Sequence, residues 1–168
     1  MDYDRLSLAF WHPQQHCFKL ELVHSHNQTI ASRGKPIPVD ETSMYEVVKT
    51  KKPYYIPKLT LEGGKRPMDR LIFSDGIRSY LSIPILNERE VIAVLSLESK
   101  KSNEFETEHI ELLNSIGGHL SVAIKNARLF SDLESAYENL KRAQDRLIQT
   151  SELWGRWQVG WCMILTTS

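Results

Sequence analysis

Cysteine is almost missing from this chain, and that shortage narrows the field first. Cys17 and Cys162 are the only two in 168 residues. They are too few and too far apart for a disulfide framework, a zinc site or a redox pair, so each reads as a reduced thiol. Net charge is missing as well: 21 basic residues balance 21 acidic ones, which leaves no global field to favour nucleic acid or an anionic membrane. No apolar run approaches the ~18 residues that a membrane-spanning helix requires. The opening Met1-Asp2-Tyr3-Asp4 has neither the basic nor the apolar region of a signal peptide. These absences predict a cytoplasmic chain with no membrane segment and no nucleic-acid partner.

Helical periodicity is what the chain has in abundance, at its C-terminal end. Leu113, Ile116, Leu120, Ala123, Ala127 and Phe130 recur three or four residues apart, which predicts a helix face turned toward a core. Leu129, Leu133, Ala136, Leu140, Ala143, Leu147 and Thr150 then alternate spacings of four and three, the seam of a coiled coil. Asn103 and Glu106 stand at capping-box spacing and predict where the helix begins. A helix from Phe105 to Thr150 would be roughly 70 Å long, more than a domain of this size can bury. The sequence therefore predicts a helix that packs on a globular unit, leaves it, and pairs with another helix. Gly117-Gly118 weakens it by only about 2 kcal/mol; two shorter helices are the alternative.

In chain order, Leu6, Leu8 and Phe10 alternate with Ser7, Ala9 and Trp11, and after a turn Phe18, Leu20 and Leu22 alternate with Lys19 and Glu21. This is a half-buried antiparallel hairpin. His24 and His26 continue one face of it, but no third metal ligand is identifiable nearby, so no metal site is assigned. Residues 27–39 read as a loop. Ser43 and Glu46 open a short helix that ends before Pro53, and Tyr54 to Ile56 form an edge strand between prolines. Residues 59–76 read as a surface loop. Its Gly63-Gly64-Lys65 lacks the preceding strand and following hydroxyl residue of a phosphate-binding loop. A second hairpin, Leu81 to Ile85 and Val91 to Glu98, has a return strand apolar on both faces, which predicts a central place in the sheet.

The run YLSIPILNEREVIAVLSLESKKSNEFETEHIELLNSIGGHLSVAIKNARLF, residues 80–130, resembles the C-terminal half of a GAF domain, and GKPIPVDETSMYEVVKTKKPYYIP, residues 34–57, is similar to that family's stretch from loop through middle helix to short strand. The resemblance implies an α+β fold: an antiparallel sheet with flanking helices, a long C-terminal coiled-coil helix, and a pocket between the sheet and the segments around residues 40–76. By position, Tyr45, Tyr55, Phe73, Arg78, Tyr80 and Ser82 are the pocket candidates. GAF domains usually open with a helix before the first strand, whereas here the strand starts within a few residues of Met1. That helix lies in sequence outside this chain, or its absence leaves apolar surface on the closing helix. The subclasses that hold a bilin, a cyclic nucleotide or a methionine sulfoxide need residues this chain does not carry. In particular, Cys17 alone cannot supply both a nucleophile and a resolving thiol. The ligand and any cofactor stay unknown.

The expected function is a sensory, small-molecule-binding input module of a two-component histidine kinase, without catalysis of its own. Its signal would pass through a homodimeric coiled coil seamed by Leu129, Leu133, Ala136, Leu140, Ala143 and Leu147. The alternatives are a GAF-fold enzyme and a stand-alone dimerising adaptor. The expected boundaries are 1–130 for the sensory domain, 131–152 for the signalling helix and 153–168 for an aberrant tail. That tail holds three of the four tryptophans and breaks the heptad. When it is written in permitted codons and read two bases on, it yields Gln-Val-Ala-Ser-Gly-Val-Val-His-Asp-Phe-Asn-Asn-Ile, similar to the phosphoacceptor box of a sensor histidine kinase. A kinase truncated by a frameshift near Ser151 to Leu153 is the expectation.

Overall fold

The computed structural model describes residues 2–25, 34–62 and 66–165, the last sixteen of these by backbone alone. The described chain divides into two compact units, residues 1–124 and 125–168. In the first unit, β1 (Arg5–His12), β2 (Cys17–Ser25), β3 (Pro36–Pro38), β4 (Tyr54–Ile56), β5 (Ser79–Asn87) and β6 (Glu90–Ser99) form one sheet in the order β3-β2-β1-β6-β5-β4. Every neighbouring pair is antiparallel. β6 is central, as a strand apolar on both faces must be. The short, proline-flanked β3 and β4 close the two edges, where a missing amide donor does least harm.

Period-two alternation sends each strand's residues to two different covers. Leu81, Ile83, Ile85, Ala93, Leu95 and Leu97 are buried against the start of the long helix α3 (Thr107–Leu165), with Phe105 and Leu113. Burial of each such aliphatic side chain contributes about 1.5–3 kcal/mol. On the other face, Ala9, Phe18, Val91 and Val94 pack with Met44 and Val47 of α1 (Met44–Thr50). Farther along, Tyr80 packs with Leu59, Ile77 and Ile72, the last from α2 (Pro67–Ser74).

Several expectations are corrected. Residues 59–76 are not one loop: α2 forms there because Pro67 is pre-set for a first helical turn, and because Met68 and Ile72, four apart, both turn to the core. Gly63-Gly64-Lys65 lies outside the described residues. Within 27–39, Pro36–Pro38 pairs with β2 as a strand. Asn103 does not cap α3. It sits in a turn at φ 58°, its amide donating to the Pro57 carbonyl at 2.7 Å, and the helix opens four residues later with the Ile110 amide on the Glu106 carbonyl. Ser43 makes no capping hydrogen bond to α1; its hydroxyl is used elsewhere.

The core-facing stripe of α3 is Ile110, Leu113, Gly117, Leu120 and Ile124, whereas Ile116 and Ala123, placed on it by the sequence, point outward. The register follows Gly117, where a Cβ would lie 3.3 Å from Ile83 Cδ1 and 3.4 Å from the Pro84 carbonyl oxygen. A side chain here would press on both atoms, and the glycine lets the helix come this close without displacing them. Leu112 and Val122 are exposed on the far side. In the second unit the seam leucines are exposed: Leu129, Leu133, Leu140 and Leu147. The helical backbone runs on past residue 152 to Leu165, through the segment for which the sequence offers no helical period. The tail holds no proline, and each of its two glycines costs a helix only about 1 kcal/mol.

Candidate functional site

The sheet face that carries α1 and α2 is apolar at one end and polar at the other. Pairing builds the polar end from two adjacent rungs across β1, β6 and β5. Arg5 stands beside Glu98 and Glu98 beside Tyr80; one step along, Ser7 stands beside Ser96 and Ser96 beside Ser82. All six side chains floor a cavity of about 70 Å³, enough for several waters or a small ligand. Its roof is α2, with Met68, Asp69, Leu71 and Ile72, together with Thr42 and Met44 at the entry to α1.

The roof is tied down by hydrogen bonds. Arg66, just before α2, donates to the Val39 and Thr42 carbonyls at 2.8 and 3.0 Å and to Glu46 Oε1 at 2.8 Å. Ser43 Oγ donates to Asp69 Oδ2 at 2.6 Å. On the floor, Arg5 Nε donates to Glu98 Oε2 at 2.5 Å, a second nitrogen pairs with the same oxygen, and Nη1 reaches Asp75 Oδ2 at 2.9 Å. The Ser82 and Ser96 hydroxyls share a 2.7 Å hydrogen bond. Tyr80 OH donates to Asp69 Oδ1 at 3.5 Å, a long contact.

Burial sets the electrostatics. It pushes the Glu98 carboxyl above its ordinary pKa, with the Arg5 guanidinium opposing. Burial would lower the pKa of Arg5, but Glu98 and Asp75 outweigh it and the guanidinium stays charged. The Tyr80 phenol is raised by burial and then by the charge of Asp69, so it remains a hydrogen-bond donor. Tyr54 is raised for the same two reasons. Among the described residues no three His, Cys, Asp or Glu side chains converge as metal ligands.

Of the six candidates from the sequence, Tyr80 and Ser82 line the cavity. The other four are placed elsewhere. Tyr45 packs its ring 5.9 Å from Trp11, under Lys49. Tyr55 faces α3, its hydroxyl accepting from the Phe105 amide at 3.4 Å. Arg78 stacks on Phe73 at 4.1 Å and donates to the Phe73 and Ile77 carbonyls. Arg5, Ser7, Asp69, Ser96 and Glu98 were missed. A signal for the last two was present: in Val94-Leu95-Ser96-Leu97-Glu98 the polar residues fall on alternate positions of an otherwise apolar strand, which marks a face that is covered but not oily. Cys17 is buried in β2 and does not line the cavity. His24 sets its ring edge-on to Tyr3 at 6.0 Å, and His26 lies outside the described residues.

The family model for the GAF domain matches residues 1–124, the span of the first compact unit. No curated protein matches the chain. Among solved structures, the GAF domain of a two-component sensor histidine kinase from Bacillus halodurans is similar at a TM-score of 0.68 and 21% identity, covering 78% of this chain and 87% of that one. The GAF domain from a phosphoenolpyruvate-protein phosphotransferase of Coxiella burnetii matches at 0.62 and 21% identity, covering 76% and 74%. A type II free methionine-R-sulfoxide reductase from Thermoplasma acidophilum matches at 0.60 and 17% identity, covering 74% and 80%. At these identities the likeness is one of fold.

Proposed function

The chain belongs to the GAF domain family, and on that premise we propose that it is the sensory input module of a cytoplasmic two-component histidine kinase, binding a small molecule in the cavity over Ser7, Ser82 and Ser96. The observation that carries this reading is the cavity itself. A polar floor held under a helix that is tied to its neighbours by Arg66 and Asp69 is suited to recognition, since a few placed polar groups among apolar walls are what orient a small ligand. The output path is the helix. Exposed Leu129, Leu133, Leu140 and Leu147, at heptad spacing, support a parallel homodimer in which the seam passes the signal onward. The similarity to the sensor-kinase domain from Bacillus halodurans supports the same assignment. Residues 1–130 are then the sensor and 131–152 the signalling helix. Residues 153–168 are read out of frame from what was a phosphoacceptor segment. The module performs no chemistry of its own: Cys17, the one thiol in the sheet, lies away from the cavity.

Native mass spectrometry of the purified chain tests the binding role. A co-purifying small molecule is expected, and Ser82→Leu, which fills the cavity, should abolish it; retention of the same molecule by that variant would remove the reading. Sequencing the locus tests the parentage. A second frame that fails to encode the phosphoacceptor box and continue as a kinase excludes it.

A further inference from the structure

The chemistry of the cavity points to a class of ligand. Its charged lining is one cation, Arg5, and three anions, Asp69, Asp75 and Glu98. Arg5 is already committed to two of those carboxylates. Asp69 is 3% exposed, and its described partners are two hydroxyls: Ser43 at 2.6 Å on Oδ2 and Tyr80 at 3.5 Å on Oδ1. A carboxylate so deeply buried is stabilised far better by a cation than by hydroxyls. Across the cavity, Ser7 is 5% exposed, and its hydroxyl has no hydrogen-bond partner among the described residues. Among the described residues every polar side-chain atom fully shielded from solvent has a partner, so Ser7 Oγ opens into the cavity that it lines. It is free to bond whatever enters.

An anionic ligand would meet three carboxylates and a guanidinium that is already paired. A neutral one would leave Asp69 without a counter-charge. A bare metal ion would need carboxylates that converge, and among the described residues they do not. We propose that the cavity takes a small organic cation, an ammonium or amidinium on a short polar skeleton, with its positive end at Asp69 Oδ1 and its remaining polar atoms over Ser7 and the Ser82–Ser96 pair. This rests on the cavity being the ligand site. It adds the charge of the ligand and the atoms that read it. The volume of about 70 Å³ limits the skeleton to a few heavy atoms in this conformation.

The test is amide chemical-shift mapping on the full chain with three probes of one size: ethanolamine, ethylene glycol and glycolate. Probes this small bind in the millimolar range at best. Ethanolamine is expected to move the amides of Ser7, Asp69, Ser82 and Ser96, with ethylene glycol weaker by about tenfold or more, as the loss of a charge-assisted hydrogen bond implies, and glycolate without effect. Asp69→Asn should erase the preference for ethanolamine over ethylene glycol. Ser7→Val, which intrudes on the cavity and leaves Asp69 in place, should weaken every probe and serves if the first variant does not fold. If ethylene glycol or glycolate moves those amides as strongly as ethanolamine, the cationic class is overturned and the site stands. If no probe moves them, or if Ser7→Val changes nothing, the site and the class fall together.

Discussion

Replacing Arg5 by methionine keeps the unbranched apolar stem of the side chain and removes its charge, which strands Glu98. The two side chains are 13% and 10% exposed, close to the buried limit at which deleting one partner of an ion pair costs about 3–5 kcal/mol. Asp75 is 35% exposed, so losing its contact with Arg5 adds less than about 1 kcal/mol. The cost depends on pH, with a definite sign. Burial already raises the Glu98 pKa above its ordinary value, and Arg5 is the main opposing influence; without Arg5 the pKa climbs further. A carboxyl with a raised folded-state pKa binds its proton more tightly when folded. The penalty is therefore full above the folded-state pKa and fades as pH falls through it toward the ordinary carboxylate range. Urea denaturation of Arg5→Met and the parent chain at about pH 8 and about pH 5 reads this directly. The expected loss is about 3–5 kcal/mol at the higher pH and smaller at the lower. Arg5→Met with Glu98→Leu should recover most of it, because two apolar groups of similar volume leave no buried charge. Equal losses at the two pH values, or a double variant no more stable than the single one, would refute the reasoning.

Three further outcomes are expected. Leu140→Lys places a charge in the heptad seam, and analytical ultracentrifugation should show a dimer converted to monomer; a parent chain that is monomeric at micromolar concentration removes the seam. Gly117→Val sets new atoms against Ile83 Cδ1 and the Pro84 carbonyl and should lower stability by about 1–3 kcal/mol, whereas Gly118→Ala, with nothing within 4 Å, should raise it by up to about 1 kcal/mol. Thermal melts of the pair decide whether the helix needs its close approach. Leu97→Ala, at a position 1% exposed, should cost about 2–5 kcal/mol by cavity formation; a loss below about 1 kcal/mol in denaturant titration would show the core there to be loose.

What could be read from the chain divides along physical lines. The sheet was legible because period-two alternation and proline-bounded edges are local signals, and the family resemblance supplied their order. α2 was not, since its one turn of apolar spacing follows a Gly-Gly-Lys-Arg-Pro stretch in which loop composition outweighs periodicity. The start of α3 was misplaced because Asn103 satisfies a capping pattern in sequence while its backbone is needed in a left-handed turn that binds Pro57. The stripe slipped by one position because a glycine carries no hydrophobic signal, and yet Gly117 is the residue nearest the sheet. In the site, the candidates follow from position along the chain, and three of the four aromatic ones, Tyr45, Tyr55 and Phe73, pack against other side chains away from the cavity. The cavity is instead floored by small hydroxyls whose meeting depends on strand register, which no single stretch of sequence displays.

Strand β5 has one more consequence. Tyr80 and Ser82 face the cavity, while Leu81 and Ile83, one peptide away on either side, face α3. At Gly117 the helix contributes no side chain; Ile83 Cδ1 and the Pro84 carbonyl oxygen of the strand lie closest to it. The strand is thus a see-saw plank a single residue thick. A molecule that displaced one side would act on the other through the same peptide units. If the cavity is the sensory site, its contents have a path to the helix across the thickness of the sheet, not along it.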